Sequence, residues 1–244
     1  KFGNTNRAEK NILGYGSDAV ERCISLRYAM TTQAHMILVP TQKENRVVKE
    51  VLSSCQADIS MELCGFGAIA AAARTAQLLC ALKPSAVTLI GIAGAFGDTL
   101  EIAKAYCFHQ VACYGIGAGT GEDFEGPASM GWLQWPGNQR SECPAIADRI
   151  GDVRDTTSKT LLTVCAASKN NHDVTVRQQM YPDASAEDME GFGVAIACEM
   201  AGVPWQIIRG ISNQAGQRDQ AQWCIDEALR AASFLALQSI TEEL

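Results

Sequence analysis

Short apolar runs alternate with helix-like segments along most of this chain. The runs at residues 36–40 and 85–90 are typical of buried strands, and the second is rich in β-branched residues and bounded by Gly91. Between them, residues 68–82 are rich in alanine and leucine and stop at Lys83-Pro84, which predicts a helix. Strands that alternate with helices predict an α/β fold with helices on both faces of a central sheet.

The same patterns divide the rest of the chain. Further strands are predicted at residues 59–65, 105–114, 160–166, 185–189 and 203–211. Further helices are predicted at residues 41–52, 174–180, 191–201 and 218–243, and a long irregular loop at residues 115–138. Ligands of such sheets bind at the carboxyl ends of the strands. That rule selects six segments: residues 40–44, 65–67, 91–96, 165–168, 188–190 and 212–213.

Composition narrows the classes of protein that fit. The chain has 244 residues, 47% of them hydrophobic, and this suits one substantial core. We expect a single domain over residues 36–244 and a polar N-terminal extension, residues 1–35, without a chemical role. The net charge of −7, with no cluster of lysine and arginine, disfavours nucleic acid and anionic membranes as partners.

Ten cysteines contain no C-x-x-C pair, so neither a zinc site nor an iron–sulfur site is expected, and no metal or organic cofactor is implied. We interpret the cysteines as small apolar residues of a reducing cytosol. No apolar run is long enough to span a bilayer, and no signal-peptide pattern opens the chain. The expected location is therefore the cytoplasm.

Three polar positions stand where predicted strands end. Glu44 follows the first strand and would act as a general base on water, although a glutamate in a first helical turn also simply suits the helix dipole. Asp188 and Glu190 would accept hydrogen bonds from two vicinal hydroxyls, or would form a charge pair at a helix start. Asn213 offers a donor and an acceptor that suit a purine, or it forms a turn.

The run from Ala186 to Asn213 resembles the signature of the nucleoside phosphorylase and nucleosidase superfamily. Together with Gly65-Phe66-Gly67 and residues 91–96, the run looks most like the futalosine hydrolase family, whose members release hypoxanthine from futalosine, leaving dehypoxanthine futalosine, in menaquinone biosynthesis. The resemblance extends from Met36 to about the C-terminus. It implies a three-layer, nucleoside phosphorylase-like α/β fold with a mixed central sheet.

The resemblance also implies roles for individual residues. Glu44 would activate the attacking water, Glu190 would hold the ribose hydroxyls with Met189 under the sugar, and Asn213 would bind the departing base. Arg209 would orient a carboxylate. Residues around the pocket would complete it: the backbone around Ala93 and Gly94 and around Val164, Cys165 and Ala166, and the apolar walls Phe96 and Phe192.

Two departures from related enzymes refine the prediction. Phosphorylases of this superfamily place an arginine and a serine where this chain has Leu89-Ile90-Gly91-Ile92, so water is the expected nucleophile instead of phosphate. Methylthioadenosine/adenosylhomocysteine nucleosidases have an aspartate at the position that corresponds to Asn213 of this chain. The Asn213 amide donates a hydrogen bond but delivers no proton, which suits a 6-oxopurine such as hypoxanthine.

Several alternatives stay open at this point. A methylthioadenosine/adenosylhomocysteine nucleosidase, a 6-amino-6-deoxyfutalosine nucleosidase, a phosphorylase and a nucleoside-binding protein without catalysis all share the resemblance. Futalosine carries a carboxylate at its far end, and Arg46, His109 and Arg218 are candidates to bind it. By resemblance alone, we expect a homodimer or a higher homo-oligomer.

Overall fold

The structure is a computed structural model that describes residues 35–53, 58–137, 143–151 and 159–242. All of these residues belong to one compact unit, residues 33–244. Residues 1–34, and with them nearly all of the predicted N-terminal extension, lie outside the described residues. The predicted division at residue 35 therefore stays a prediction.

Nine strands and six helices occur in the described part of the chain. The strands are β1 (His35–Val39), β2 (Ile59–Leu63), β3 (Val87–Ala95), β4 (Ala105–Phe108), β5 (Gln110–Tyr114), β6 (Arg149–Ile150), β7 (Thr160–Val164), β8 (Ala184–Asp188) and β9 (Trp205–Gln214). The helices are α1 (Gln42–Leu52), α2 (Ala68–Leu82), α3 (Pro127–Met130), α4 (Asn171–Met180), α5 (Gly191–Ala201) and α6 (Ile225–Glu242).

The strands form one mixed sheet around β3. Its main order is β2-β1-β3-β8-β7-β5-β6, and β9 pairs with β3 on one side and with β4 on the other. The pairs of β1 with β2 and β3, of β3 with β9 and of β7 with β5 and β8 are parallel. The pairs β3–β8, β4–β9 and β5–β6 are antiparallel. The prediction of a mixed central sheet is confirmed.

Helices cover both faces because the apolar side chains of the strands point alternately to each side. Met36 and Leu38 of β1 join a core with residues of α2 and α5. Ile37 and Val39 join a separate core with residues of α1 and α6. A strand that is buried on both faces needs this continuous apolar pattern. The three-layer prediction is confirmed.

Five predicted elements differ from the structure in their bounds or content. Strands β3 and β9 continue beyond Gly91 and Ile211, because they remain paired to Ala95 and Gln214 through an irregularity at Ala93/Gly94. The predicted strand 105–114 breaks at His109, where the chain leaves β9 and begins to pair with β7. Helix α6 begins only at Ile225, after a short 3₁₀ turn over Gln220–Gln222. The predicted loop 115–138 contains helix α3 and the 3₁₀ turn Gly121–Asp123.

Eight cysteines fall within the described residues, and all eight are free thiols. Four of them, Cys64, Cys113, Cys143 and Cys198, are buried as predicted, whereas Cys80 and Cys165 are exposed. No group of acidic, histidine or cysteine side chains suited to a metal ion occurs in the described part of the chain. Within the same residues, no helix has the length and apolar character needed to cross a membrane.

Candidate active site

A cavity of about 360 Å³ lies where six strands end at their carboxyl edge. Each of the six segments selected from the sequence contributes at least one lining residue, as the rule for α/β sheets predicts. Four buried acidic residues line the cavity, and we call three of them, Glu44, Asp188 and Glu190, the cavity floor. We call the more exposed lining residues Lys43, Phe66, Arg218 and Trp223 the cavity rim.

Glu44 stands in the first turn of α1, where a capping pattern fixes it. The N-cap residue Thr41 accepts a hydrogen bond from the Glu44 backbone N–H at 3.3 Å, and its hydroxyl donates to Glu44 Oε2 at 2.6 Å. Glu44 is nevertheless only 9% exposed and lines the cavity. The helix cap therefore sets the rotamer of a carboxylate that faces the cavity.

Arg209 of β9 is fully buried beside the cavity floor. Its Nε donates to Asp188 Oδ2 at 3.1 Å, and its Nη2 donates to the same oxygen and to Glu190 Oε2 at 3.2 Å. Burial alone would lower the pKa of Arg209, but Asp188, Glu190 and Glu44 raise it above its ordinary value. The guanidinium is therefore a fixed cation that orders the carboxylates of the floor.

Gly91 of β3 makes the space that this guanidinium occupies. A Cβ at position 91 would lie 1.9 Å from Arg209 Nη1 and 3.2 Å from Glu44 Oε1. Arg209 Nη1 and Glu44 Oε1 are therefore neighbours across the bare backbone of Gly91. Among the described residues, Arg209 Nη1 has no hydrogen-bond partner. The Nη1 group of the buried Arg209 guanidinium therefore lies near Glu44.

Asp188 is committed to internal contacts. Its Oδ1 accepts from the Thr163 hydroxyl at 2.6 Å, and its Oδ2 accepts from the Gly191 backbone N–H at 2.8 Å in addition to Arg209. The contact with Gly191 caps α5, whose N-cap residue Glu190 makes no side-chain cap bond. Both carboxylate oxygens of Asp188 are engaged within the protein. Of these two neighbouring carboxylates, Glu190 is therefore the one that can accept further hydrogen bonds from a ligand.

Glu190 receives one hydrogen bond from the turn at residues 65–67. The Gly67 backbone N–H donates to Glu190 Oε1 at 2.9 Å, and Gly67 adopts a φ of 85°, which favours glycine. Burial raises the pKa of Glu190 to about 7, while the charge of Arg209 acts in the opposite direction. A carboxyl with a pKa near 7 changes its charge within the physiological range.

Asn213 lies at the carboxyl end of β9 and lines the cavity. Its Oδ1 accepts from the Ser212 hydroxyl at 2.7 Å, and its Nδ2 donates to the Gln214 carbonyl at 2.7 Å. The Gln217 carbonyl stands 3.5 Å from the same nitrogen, which is a long contact. The amide therefore has a fixed orientation and retains one weakly engaged N–H.

A second buried ion pair borders the cavity at Glu187. The Ser168 backbone N–H donates to Glu187 Oε1 at 2.8 Å, and the Ser168 hydroxyl donates to Oε2 at 2.7 Å. Arg177 of α4 donates through Nη1 to Glu187 Oε2 and to the Ser168 hydroxyl, and through Nη2 to the Ala166 carbonyl. This network holds the turn after β7 against β8.

The cavity rim is made of longer and more exposed side chains. Phe66 is 65% exposed between two glycines of positive φ. The Trp223 indole N–H donates to the Gln217 carbonyl at 3.1 Å, and the Arg218 guanidinium carbon stands 5.2 Å from the centre of the Trp223 ring. Lys43 is exposed and also lines the cavity. Two cations thus stand at the entrance to an acidic cavity.

Four predicted pocket residues do not line the cavity. Phe96 packs in a core cluster with Val164 and Tyr181, because the backbone N–H of Phe96 pairs with Ser185 at the end of β3. Phe192 packs in the core at the first turn of α5. Cys165 and Ala166 are exposed on the outer side of the turn, while their neighbours Val164 and Ala167 line the cavity. Whether any of the four contacts a substrate stays a prediction.

The other predicted residues divide as follows. Met189, Ala93 and Gly94 line the cavity with Glu44, Glu190 and Asn213. Of the three candidates for a substrate carboxylate, Arg218 lines it, whereas Arg46 and His109 are exposed and lie outside the lining. Lys43 and Phe66 lie inside two of the segments selected from the sequence but were not singled out there, and Glu187 with its partners was missed. Nothing in the sequence links Arg177 to Glu187, because they meet only through the fold.

Comparisons with known proteins identify the family of this chain. The sequence profile of the Phosphorylase superfamily matches residues 28–240. A futalosine hydrolase of Streptomyces coelicolor is 31% identical over 146 residues, which span 59% of this chain and only 60% of that protein. A 5'-methylthioadenosine/S-adenosylhomocysteine nucleosidase of Shewanella oneidensis is 27% identical over 194 residues, which span 75% of this chain and 79% of that protein.

A solved structure supports the fold directly. The futalosine hydrolase of Helicobacter pylori strain 26695 superimposes with a TM-score of 0.67 at 16% sequence identity, over 87% of this chain and 99% of that chain. At this identity the likeness establishes the fold alone. The prediction of a nucleoside phosphorylase-like fold is confirmed.

Proposed function

Because this chain belongs to the Phosphorylase superfamily, we propose that it is a purine nucleosidase, which uses water to cleave an N-glycosidic bond. We propose futalosine as the substrate, with hypoxanthine and dehypoxanthine futalosine as the products. The observation that carries the proposal is the cavity floor, where Glu44 and Glu190 line one cavity on two sides of the Arg209 guanidinium.

The two glutamates suit the two tasks of such a reaction. Cleavage of the bond between C1′ and the base nitrogen passes through an oxocarbenium-like sugar, which a nearby carboxylate stabilises. Glu190 is placed to accept hydrogen bonds from the two ribose hydroxyls, with Met189 beside it. Glu44 would remove a proton from the water that attacks C1′. Arg209 is a positioning residue, since its contacts fix Asp188 and Glu190 and its Nη1 adjoins Glu44.

The charge of the floor favours water over phosphate as the nucleophile. Glu44, Asp188 and Glu190 share one buried cation, Arg209, and the segment from Leu89 to Ile92 adds neither a cation nor a hydroxyl. A phosphate dianion would meet net negative charge in a site of low dielectric constant, which is strongly unfavourable. Neutral water meets no such penalty.

The leaving base would be bound at Asn213. The weakly engaged N–H of its amide can donate to N7 or to the 6-oxo group of hypoxanthine, both of which are acceptors. Donation there stabilises the negative charge that develops on the departing base. An adenine presents an amino group at position 6, which the same donor does not match.

The cavity rim suits the far end of futalosine. Arg218 and Lys43 line the cavity at its entrance, and Trp223 underlies the Arg218 guanidinium. Cationic groups at this place would bind the substrate carboxylate. A role in menaquinone biosynthesis, a location in the cytoplasm and assembly as a homodimer remain predictions that accompany this proposal.

Chromatography of released bases tests the proposal. Futalosine, 6-amino-6-deoxyfutalosine, inosine and methylthioadenosine would each be incubated with the full chain, with and without phosphate. We expect hypoxanthine from futalosine at a rate that does not depend on phosphate. Adenine release as the fastest reaction would instead identify an adenine nucleosidase, and dependence on phosphate a phosphorylase. Tight binding of nucleoside without any base release would identify a binding protein.

A further inference from the structure

A layer of polar side chains crosses the sheet at its amino edge, at the opposite end of the strands from the cavity. His35 of β1, Thr88 of β3 and Gln206 of β9 are each the first or second residue of their strand. His35 Nε2 lies 2.7 Å from Thr88 Oγ1, and the Gln206 amide donates to the same oxygen at 3.0 Å. Cys107 of the neighbouring strand β4 continues the layer, since its thiol donates to Gln206 Oε1 at 3.5 Å.

A histidine lies against Cys107 at the surface end of this layer. Residues 107 and 109 are two positions apart where β4 ends, and side chains at this spacing along a strand point to the same side. The Cys107 sulfur accordingly lies 3.4 Å from His109 Nε2, and the His109 ring is exposed. Gln206 Oε1 also accepts from the Ser239 hydroxyl at 3.1 Å. The thiol hydrogen can therefore pass to His109 without leaving this buried oxygen unpaired.

The other thiols that the structure describes offer a comparison. Burial raises the pKa of the Cys64 and Cys113 thiols to about 12, so both stay protonated. Cys80 and Cys165 are exposed, yet within the described residues neither thiol makes a hydrogen bond. The thiolate is the form of cysteine that acts as a nucleophile, and an adjacent histidine favours it. Exposure alone predicts that Cys80 and Cys165 react first, whereas the histidine contact predicts Cys107.

The position of β4 leaves Cys107 open to a reagent. This strand pairs with β9 along one edge, and none of the other described strands pairs with its second edge. Cys107 is partly buried there, and His109 follows where the chain leaves β9 for β7. A reaction at the Cys107 sulfur therefore requires no strands of the sheet to separate.

We propose that Cys107 is a modification site, at which His109 activates the thiol for exchange with a low-molecular-weight disulfide. His109 accepts the thiol proton, and the Cys107 sulfur attacks one sulfur of the disulfide. The S–S bond of the reagent breaks as the new bond to Cys107 forms. The departing thiolate takes the proton from the imidazolium, so the products are a mixed disulfide on Cys107 and one free thiol. The site does not depend on the nucleosidase function proposed above.

The test compares the rates of individual cysteines in the full chain. The chain is treated with a limiting amount of 4,4′-dithiodipyridine, a small disulfide, and peptide mass spectrometry follows the modification of each cysteine over time. We expect Cys107 to react at least about threefold faster than Cys80 and Cys165, because an adjacent base increases the thiolate fraction by more than it lowers nucleophilicity. A rate at Cys107 no higher than at Cys80 or Cys165 would show that exposure sets the order, and would overturn the inference.

The substitution His109→Gln tests the base. Glutamine retains a polar group beside Cys107 but does not accept the thiol proton, so the rate at Cys107 should fall at least about threefold. Cys80 and Cys165 are internal standards whose rates should not change. The matched control is His172→Gln, which alters an exposed histidine on α4 and should leave the rate at Cys107 unaltered. An unchanged rate at Cys107 in His109→Gln would also overturn the inference.

The same experiment recognises a variant that fails to fold, because the buried thiols of Cys64 and Cys113 would then react as well. The order of rates in the unaltered chain still decides the inference in that case. Glutathione disulfide, a bulkier and charged reagent, should place its adduct on Cys107 too. An adduct on Cys80 or Cys165 without one on Cys107 would count against the proposed site.

Discussion

The cavity floor and the cavity rim line the same cavity but are held in place by different means. Glu44, Asp188 and Glu190 are at most 9% exposed, and each accepts hydrogen bonds from a helix start, a turn or Arg209. Phe66 is 65% exposed and Arg218 makes one contact across an aromatic ring. The floor is therefore preorganised for chemistry, while the rim is suited to tolerate and select the far end of a substrate.

This difference sets the scale of effect expected from substitutions. Under the proposed function, a change on the floor disturbs a group that touches the reacting atoms or holds one that does, in a site where electrostatic interactions are strong. A change on the rim disturbs a solvated group whose interactions are screened by water. The predictions below test this ordering, from the floor outward.

The largest effect is expected from Glu44→Gln. The amide has the size of the carboxylate and cannot remove a proton, so kcat should fall by about 10²- to 10⁴-fold with little change in KM. Steady-state rates of base release measure this. Glu50→Gln, on the exposed side of the same helix, is the control and should keep full activity. A near-normal kcat for Glu44→Gln would refute the role of Glu44 as the general base.

A second large effect is expected from Gly91→Ala, which touches no substrate. The new methyl group would lie 1.9 Å from Arg209 Nη1, so the guanidinium must move away from the floor. We expect unfolding in denaturant to show a loss of about 1–3 kcal/mol, and kcat to fall by roughly 10²-fold. Gly126→Ala, where a Cβ would meet only ordinary contacts at 3.6 Å, is the control. Normal kinetics in Gly91→Ala would show that the floor does not depend on Arg209.

The sequence predicted the cavity floor more completely than the cavity rim. Floor residues follow strands whose apolar pattern was clear, so Glu44 and Glu190 could be selected from their position and residue type. The rim was predicted only in part, because Phe66 and Lys43 carry no pattern that separates them from surface residues. Arg218 was one of three equal candidates until the fold placed it at the cavity.

Two further differences between the sequence analysis and the structure have a physical reason. Phe96 and Phe192, which were candidate cavity walls, pack in core clusters, because the direction of a side chain depends on register and helix phase. Glu187 was passed over although it belongs to the same acidic run as Asp188 and Glu190. Its ion pair depends on Arg177, 10 residues away in sequence, which meets it only through the fold. Such contacts depend on tertiary structure and leave no local signal.

A moderate effect is expected from pH. Burial raises the pKa of Glu190 from 4.5 to about 7, and only the ionised form accepts hydrogen bonds from both ribose hydroxyls. The value of kcat/KM should therefore rise with pH through about 7, by about tenfold per pH unit on the acid side. A pH–rate profile with no change of slope between pH 5.5 and 8.5, a range of about ±1.5 around this pKa, would contradict the assignment.

Stability should change with pH in the opposite sense. The folded protein retains a proton on Glu190 that the unfolded chain releases between about pH 4.5 and 7, so the free energy of unfolding should fall as pH rises through this interval. Urea unfolding at the two ends of the interval measures the change. The substitution Glu190→Gln removes the titrating group and should reduce the difference.

The smallest effect is expected from Arg218→Gln at the rim. An exposed cation contributes about 0.2–1 kcal/mol to the binding of an anion, so KM for futalosine should rise by about 1.4- to fivefold with an unchanged kcat. Inosine, which lacks the carboxylate, should show no change. Arg230→Gln on α6, an exposed arginine paired with Glu50, is the matched control.

A loss of kcat that is as large for inosine as for futalosine would place Arg218 in the chemistry of the floor, and the distinction between floor and rim would then fail. A rise in KM confined to futalosine would instead show that one cavity combines a rigid reaction centre with a loosely held selector of the substrate's far end.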